Sequence, residues 1–283
     1  MKTLGIVGAG TMGAGIAHVA SSAGIGVILY DPSAAALEKA MRRIEADLQK
    51  GAEKKLYDQP HVGKSLSRIT PKSSYEDFAP CELVIEAAIE DLAVKREIFT
   101  NLERVCAPGT LIASNTSSLS ITSMASRLNI PERFAGIHFF NPVHVMKLVE
   151  VVAGHRTSPA TVERASAFAR LMGKTPVSVR DTPGFIVNRV ARPFYGEALR
   201  LLGEGVATVE EIDRIVKHEG GFRMGPFELM DLIGIDVNFA VTQSVYEQTF
   251  GEPRFRPHPI QRKMVEAGLL GRKTKRGFYD YPE

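Results

Sequence analysis

The chain has 283 residues, enough for one large domain or two moderate ones, each able to bury its own core. With 44% hydrophobic residues, 24% charged residues and a formal net charge of +3, it has the make-up of an ordinary globular protein, and the weak positive balance gives no general case for nucleic-acid binding. Two cysteines, Cys81 and Cys106, cannot build a disulfide framework, no apolar run approaches the roughly 20 residues that span a bilayer, and a strand–glycine motif from residue 4 leaves no room for a secretory leader. A soluble, cytoplasmic protein with neither nucleic-acid nor membrane partner is expected.

Short apolar runs at 4–7, 27–30, 83–86, 111–113, 134–139, 148–152 and 177–179 read as strands. Between the second and third, Leu37, Met41, Ile44 and Leu48 line one face of a helix. Strands that are apolar on both sides of the pleat belong in a mostly parallel sheet covered by crossover helices, the doubly wound Rossmann-type arrangement. The register changes at Asp181-Thr182-Pro183-Gly184, beyond which the periodicity is helical over 199–202, 209–216, 227–233 and 260–267. The prolines of 252–259 read as an extended loop, and Phe278-Tyr279 as a late strand. The expected fold class is α/β, with an N-terminal dinucleotide-binding domain at 1–183 and an all-α domain at 184–283.

The most specific motif is the turn Gly8-Ala9-Gly10-Thr11-Met12-Gly13, placed between an apolar strand and an apolar helix. There, Gly8 permits the tight turn, Gly10 lets the backbone approach a pyrophosphate, Gly13 lets helix and strand pack closely, and the helix N-terminus receives the charge. Asp31 ends the second strand, where a carboxylate can accept hydrogen bonds from both ribose hydroxyls and repel a 2′-phosphate, which favours NAD over NADP. The competing reading of Asp31 is an N-cap of the next helix. FAD is disfavoured, because no second flavin signature is present.

Hydride transfer from an alcohol needs a base for the hydroxyl proton. His138 stands at the C-terminal end of a strand, where open sheets bind ligands, and Glu150 lies within a second apolar run twelve residues on. A carboxylate among apolar residues needs a partner, and pairing with His138 would fix the imidazole tautomer and stabilise the imidazolium. A core histidine and an edge-strand glutamate that never meet is the alternative. The hydroxyl-rich 115–118 also follows a strand, as a substrate contact or as a turn and helix cap, and Asn188 is a polar residue within an apolar helical stretch.

Taken together, GAGTMGAGIA (8–17), SNTSSLSI (114–121), HFFNPVHVMKLVEV (138–151), DTPGFIVNR (181–189), MGPFELMDLIG (224–234) and GRKTKRGFY (271–279) resemble the L-3-hydroxyacyl-CoA dehydrogenase family nearly end to end, particularly its short bacterial 3-hydroxybutyryl-CoA type. The resemblance implies an NAD-dependent oxidoreductase acting on the C3 hydroxyl of a (3S)-3-hydroxyacyl-CoA. It implies His138 as base, Glu150 as its partner, and Ser117 and Asn188 as groups touching the substrate's oxygens. It also implies cofactor contacts from Glu90, Lys95, Ser117, Asn141 and Lys273. The coenzyme A nucleotide would meet the basic segment holding Lys50, Lys54, Lys55, Lys64 and Arg68, with Lys50 and Lys54 the best matches. That cluster also reads as a solvated basic face, and Pro60 and Gly63 suggest mobility.

The sequence departs from the family pattern at His144, where many relatives carry proline, and at Lys275-Arg276. Phe222, Met224, Phe227 and Met230 are candidates for a homodimer interface or for core. No metal is expected. Other readings are a dehydrogenase of a free hydroxy or sugar acid, a metal enzyme built on His138, His144 and Glu150, and a non-catalytic dinucleotide-binding protein.

Overall fold

The computed structural model describes residues 2–282, and the chain divides into two compact units, one ending at Thr182 and one beginning at Pro183. The first unit is built on an eight-stranded sheet of β1 (Thr3–Val7), β2 (Gly26–Tyr30), β3 (Ile69–Lys72), β4 (Leu83–Glu86), β5 (Leu111–Ser114), β6 (Phe134–Phe139), β7 (Leu148–Ala153) and β8 (Thr175–Arg180). The strands lie in the order β3-β2-β1-β4-β5-β6-β7-β8. Every pairing is parallel except β6 with β7. The order reverses direction between β1 and β4, which opens a crevice beyond the strand C-termini there.

Helix α1 (Thr11–Ser22) buries Gly13, Ala14, Ala17 and Ala20, small residues that let it lie close against the sheet. Helix α2 (Ala34–Glu53) turns Leu37, Ala40, Ile44 and Leu48 inward, and the Ser33 hydroxyl caps it by accepting from the Ala36 N–H at 3.2 Å. Helix α3 (Gln59–Leu66) is capped by Asp58 and carries Pro60 in its first turn, where a missing N–H costs nothing. Pro60 and Gly63 both lie within this helix. Helices α4 (Leu92–Val105), α5 (Ile121–Ala125) and α6 (Pro159–Leu171) complete this unit.

Strand β3 is absent from the sequence reading for a physical reason. It holds Pro71 and exposes two of its four residues, which only an edge strand tolerates.

The second unit contains α7 (Val187–Gly203), α8 (Val209–His218), α9 (Pro226–Ile233), α10 (Ile235–Gln248) and α11 (Pro259–Glu266), with a core of Tyr195, Leu199, Ile212, Phe227, Met230 and Ile235. Phe227 and Met230 are fully buried, so of the four candidate interface residues these two are core, while Phe222 is exposed. The proline-rich segment forms a short 3-10 turn at Pro253–Phe255, and Phe278-Tyr279 form a bend between bridge residues instead of a strand.

Helix α10 escaped the periodicity because two of its inward positions, Asn238 and Thr242, are polar. The Thr242 hydroxyl and the Asn238 backbone carbonyl accept from the Arg192 guanidinium at 2.8 Å each, while the Asn238 side-chain Oδ1 accepts from Gln261 at 2.7 Å.

Asp213 on α8 holds this unit together. Its carboxylate accepts from the Phe227 and Glu228 N–H groups at 3.0 and 2.9 Å, closing the N-terminus of α9, and from the Tyr279 hydroxyl at 2.9 Å. Asp213→Ala leaves those buried donors unpaired and is expected to lower stability by about 2–4 kcal/mol, read as a shifted urea midpoint. An unchanged midpoint would show that water replaces the carboxylate at no cost.

Candidate active site

The glycine turn lies between β1 and α1. Gly8 has φ 103°, and a Cβ there would sit 2.6 Å from the Ala87 carbonyl beyond β4. A Cβ on Gly13 would lie 1.8 Å from the Gly8 carbonyl, so only glycine lets the helix start this close to the turn. On the opposite side, a Cβ on Gly10 would meet nothing within 4 Å. Gly10 is the N-cap of α1 and no side chain caps it, so the first-turn amides and the positive end of the dipole are left for an anion. Thr11 is exposed, while Ala9 and Met12 are buried and half-buried beside it.

Asp31 braces this turn. Its Oδ2 accepts from the Ala9 N–H and its Oδ1 from the Ser33 N–H, both at 2.9 Å. Ser33, not Asp31, caps α2.

Across the crevice, β4 ends in Glu86, which is fully buried. Its carboxylate receives Lys95 Nζ at 2.5 Å, the Ser114 hydroxyl at 2.6 Å and the Ala88 N–H at 2.6 Å. Lys95, 1% exposed, also reaches Glu90 at 3.2 Å. Glu90 in turn accepts from Thr116 at 2.5 Å, and from the Ser117 N–H and Ser118 hydroxyl at 3.2 Å each. Burial acts to raise the Glu90 pKa, but the Lys95 ammonium and the hydrogen bonds from Thr116 and Ser117 outweigh it and hold the carboxyl below its ordinary 4.5. The structure therefore joins Glu90, Lys95 and Ser117 in one network whose centre, Glu86, the sequence reading missed. The signal for it was present in LVIE, a carboxylate closing an apolar strand, which is the same argument that singled out Glu150.

His138 and Glu150 are directly opposite one another in the antiparallel β6–β7 pair. Directly opposed side chains leave the same face of a sheet, and here His138 Nδ1 lies 2.8 Å from Glu150 Oε2 with both residues buried. The Phe140 ring packs on the imidazole at a centroid distance of 4.4 Å. Asn115 Oδ1 accepts from the Phe139 N–H at 2.9 Å, tying the end of β5 to the strand end that carries His138.

Asn141 opens the β6–β7 loop, is exposed and precedes a cis proline. Lys174 holds that loop by donating to the Val143 carbonyl and to the Met146 carbonyl, the latter at 2.9 Å.

The remaining nominated residues belong to other elements. Lys50 and Lys54 are exposed in the last turn and at the C-cap of α2, where cations also complement the helix dipole. Arg68 of the same segment donates to the Ser21 carbonyl at 3.2 Å. Asn188 is half-buried in the first turn of α7, and Lys273 pairs with Asp236 at 2.6 Å, both within the helical unit. His138, His144 and Glu150 do not form a metal-holding group among the described residues. His144 lies instead with His18 and Asp47.

Residues 3–182 match the family model described as the 3-hydroxyacyl-CoA dehydrogenase NAD binding domain, and residues 184–281 the model of the 3-hydroxyacyl-CoA dehydrogenase C-terminal domain. The chain is 46% identical over 281 residues to a 3-hydroxybutyryl-CoA dehydrogenase of Bradyrhizobium diazoefficiens, covering 99% of this chain and 96% of that one. It is 49% identical to a 3-hydroxyadipyl-CoA dehydrogenase of Escherichia coli, covering 99% of this chain but spanning only 59% of that protein's length. Among solved structures, an (S)-3-hydroxybutyryl-CoA dehydrogenase of Ralstonia eutropha superposes with a TM-score of 0.96 at 41% identity, with all of both chains covered.

The buried Glu86–Lys95 pair generates a stability prediction. Lys95→Met strands a desolvated carboxylate and is expected to cost about 3–5 kcal/mol, whereas adding Glu86→Gln should recover most of that loss. Urea denaturation of the single and double variants tests it. A double variant no more stable than Lys95→Met would show that the two charges are not coupled.

Proposed function

The chain belongs to the 3-hydroxyacyl-CoA dehydrogenase family, and from that premise we propose that it oxidises the C3 hydroxyl of a (3S)-3-hydroxyacyl-CoA to the 3-oxoacyl-CoA, reversibly, with NAD as hydride acceptor. The observation that carries the chemistry is the 2.8 Å contact between His138 Nδ1 and Glu150.

The residues present fit a dinucleotide. Gly10 leaves its surroundings open, with nothing within 4 Å of where a Cβ would stand, beside a helix N-terminus without a side-chain cap. Gly8 to Gly13 hold the pyrophosphate, and Asp31 serves the adenosine ribose. Glu90, Lys95, Ser117, Asn141 and Lys273 serve the nicotinamide half. When bound, NAD supplies the acceptor for the C3 hydride.

The chain's own part is the proton. With Nδ1 engaged by Glu150, Nε2 is the nitrogen through which His138 takes the C3 hydroxyl proton. Glu150 keeps the ring oriented and balances the imidazolium charge as the carbonyl forms. Ser117 orients the substrate oxygen, and Asn188 has the substrate-contact role that the family resemblance implies. Lys50 and Lys54 face the 3′-phospho-ADP of coenzyme A.

Short acyl chains are the proposed substrates, because several relatives of matching length are named 3-hydroxybutyryl-CoA dehydrogenases. A homodimer is proposed to form through the helical unit, where Ile186, Val190, Leu232, Ile233, Val237 and Phe250 are exposed. The cytoplasm is the proposed compartment: both cysteines are free and buried, and no described helix is long and apolar enough to cross a membrane.

His138→Gln is expected to lower kcat by about 100- to 10,000-fold with NADH affinity nearly intact, measured by NADH absorbance and by fluorescence titration. Near-normal turnover would remove His138 as the base. Across a panel of (S)-3-hydroxyacyl-CoAs, kcat/KM should peak at the shortest chains and vanish for the free acids. Equal rates on free hydroxy acids would assign the chain to another substrate class.

A further inference from the structure

Outside the proposed active site, one cluster has ligand chemistry and no assigned role. His18 on α1, Asp47 on α2 and His144 on the β6–β7 loop each place one ligand atom within 4.8 Å of the other two. His18 is only 6% exposed, and its Nδ1 has no hydrogen-bond partner. Its ring stacks on that of His144 with centroids 5.5 Å apart and an interplanar angle of 28°. A buried imidazole nitrogen is normally satisfied by a donor, an acceptor or a metal.

We propose that His18, Asp47 and His144 form a binding site for a late first-row divalent cation, with Zn2+ as the type ion. Two imidazoles and one carboxylate suit zinc or its neighbours and not Mg2+ or Ca2+, which take oxygen ligands. Bonds of about 2.0–2.2 Å in a tetrahedron put ligand atoms about 3.3 Å apart, so the three must close by about 1.5 Å at most. His144 is exposed on a loop and can supply that movement, with water as the fourth ligand.

Two cations flank the site, and one of them, Arg43, ion-pairs with Asp47 itself, a contact that a bound metal ion would replace. Lys174 donates to the Val143 and Met146 carbonyls. Arg43 donates to the Thr11 hydroxyl at 3.0 Å and lies 3.8 Å from Asp47. The site borders a surface cavity lined by Thr11, Arg43, Asp47, Asn141 and His144, so a bound ion would pin the loop bearing Asn141 onto the helix that starts at the glycine turn. This assignment does not depend on His138 being the base.

The test is calorimetric titration of the chelator-stripped full chain with Zn2+ alone. One ion per chain is expected, with affinity at least about tenfold weaker in His144→Ala and in Asp47→Asn, and undiminished in His155→Ala, which removes an exposed histidine elsewhere. Zn2+ should also raise the melting temperature of the parent chain and not of His144→Ala, whose folding is checked by its metal-free melting curve. No uptake by the parent chain, or equal affinity in His144→Ala, overturns the proposal.

Discussion

The chemistry rests on a single antiparallel step in an otherwise parallel sheet. Had β7 run parallel to β6, a crossover helix would separate them, and Glu150 could not face His138 twelve residues after it. Because the chain doubles back through the loop at 140–147, residues 138 and 150 become a directly opposed pair. The carboxylate then meets Nδ1 without a long side chain having to reach for it, and both groups lie in interior strands, towards the end where β6 stops and β7 starts. Asn115 and Lys174 stabilise that corner from two sides, one through the Phe139 N–H and the other through loop carbonyls. The proposed general base is thus placed by backbone topology, which costs the site little side-chain entropy.

Most of this architecture was legible because parallel strands buried on both faces announce themselves as continuous apolar runs, and the glycine turn joins two of the most regular elements. What escaped did so where polar residues sit at inward positions or where an edge relaxes the rules. The β3 strand carries a proline at the sheet margin, and α10 turns Asn238 and Thr242 inward to meet Gln261 and Arg192, so neither shows the expected period. Phe227 and Met230, which could be read as surface or core, are core because α8 covers α9 and Asp213 closes its first turn.

At the site, the sequence located residues more readily than networks. Asp31 was visible as a strand-end carboxylate, but its grip on the Ala9 N–H, which shapes the glycine turn even before any ribose is considered, depends on β1 and β2 being neighbours. Glu90, Lys95 and Ser117 came from the family resemblance as separate contacts. In space they are successive links from a buried carboxylate on β4 to the hydroxyl-rich turn after β5. Such a chain is invisible to spacing arguments, since its members lie on different crossovers and meet only when β4 and β5 pair.

Two glutamates are buried near strand ends in this unit, and their partners separate structural from chemical duty. Glu86 faces Lys95, whose Nζ lies 2.5 Å from its carboxylate within a fully buried pair. Glu150 faces an imidazole, which can be neutral or charged near physiological pH. In the proposed reaction His138 takes the hydroxyl proton, and Glu150, 2.8 Å from its Nδ1, is placed to balance the charge that arrives. Histidine at position 138 gives the proposed reaction a group that can accept the proton of a neighbouring hydroxyl and return it, which an ammonium side chain cannot do.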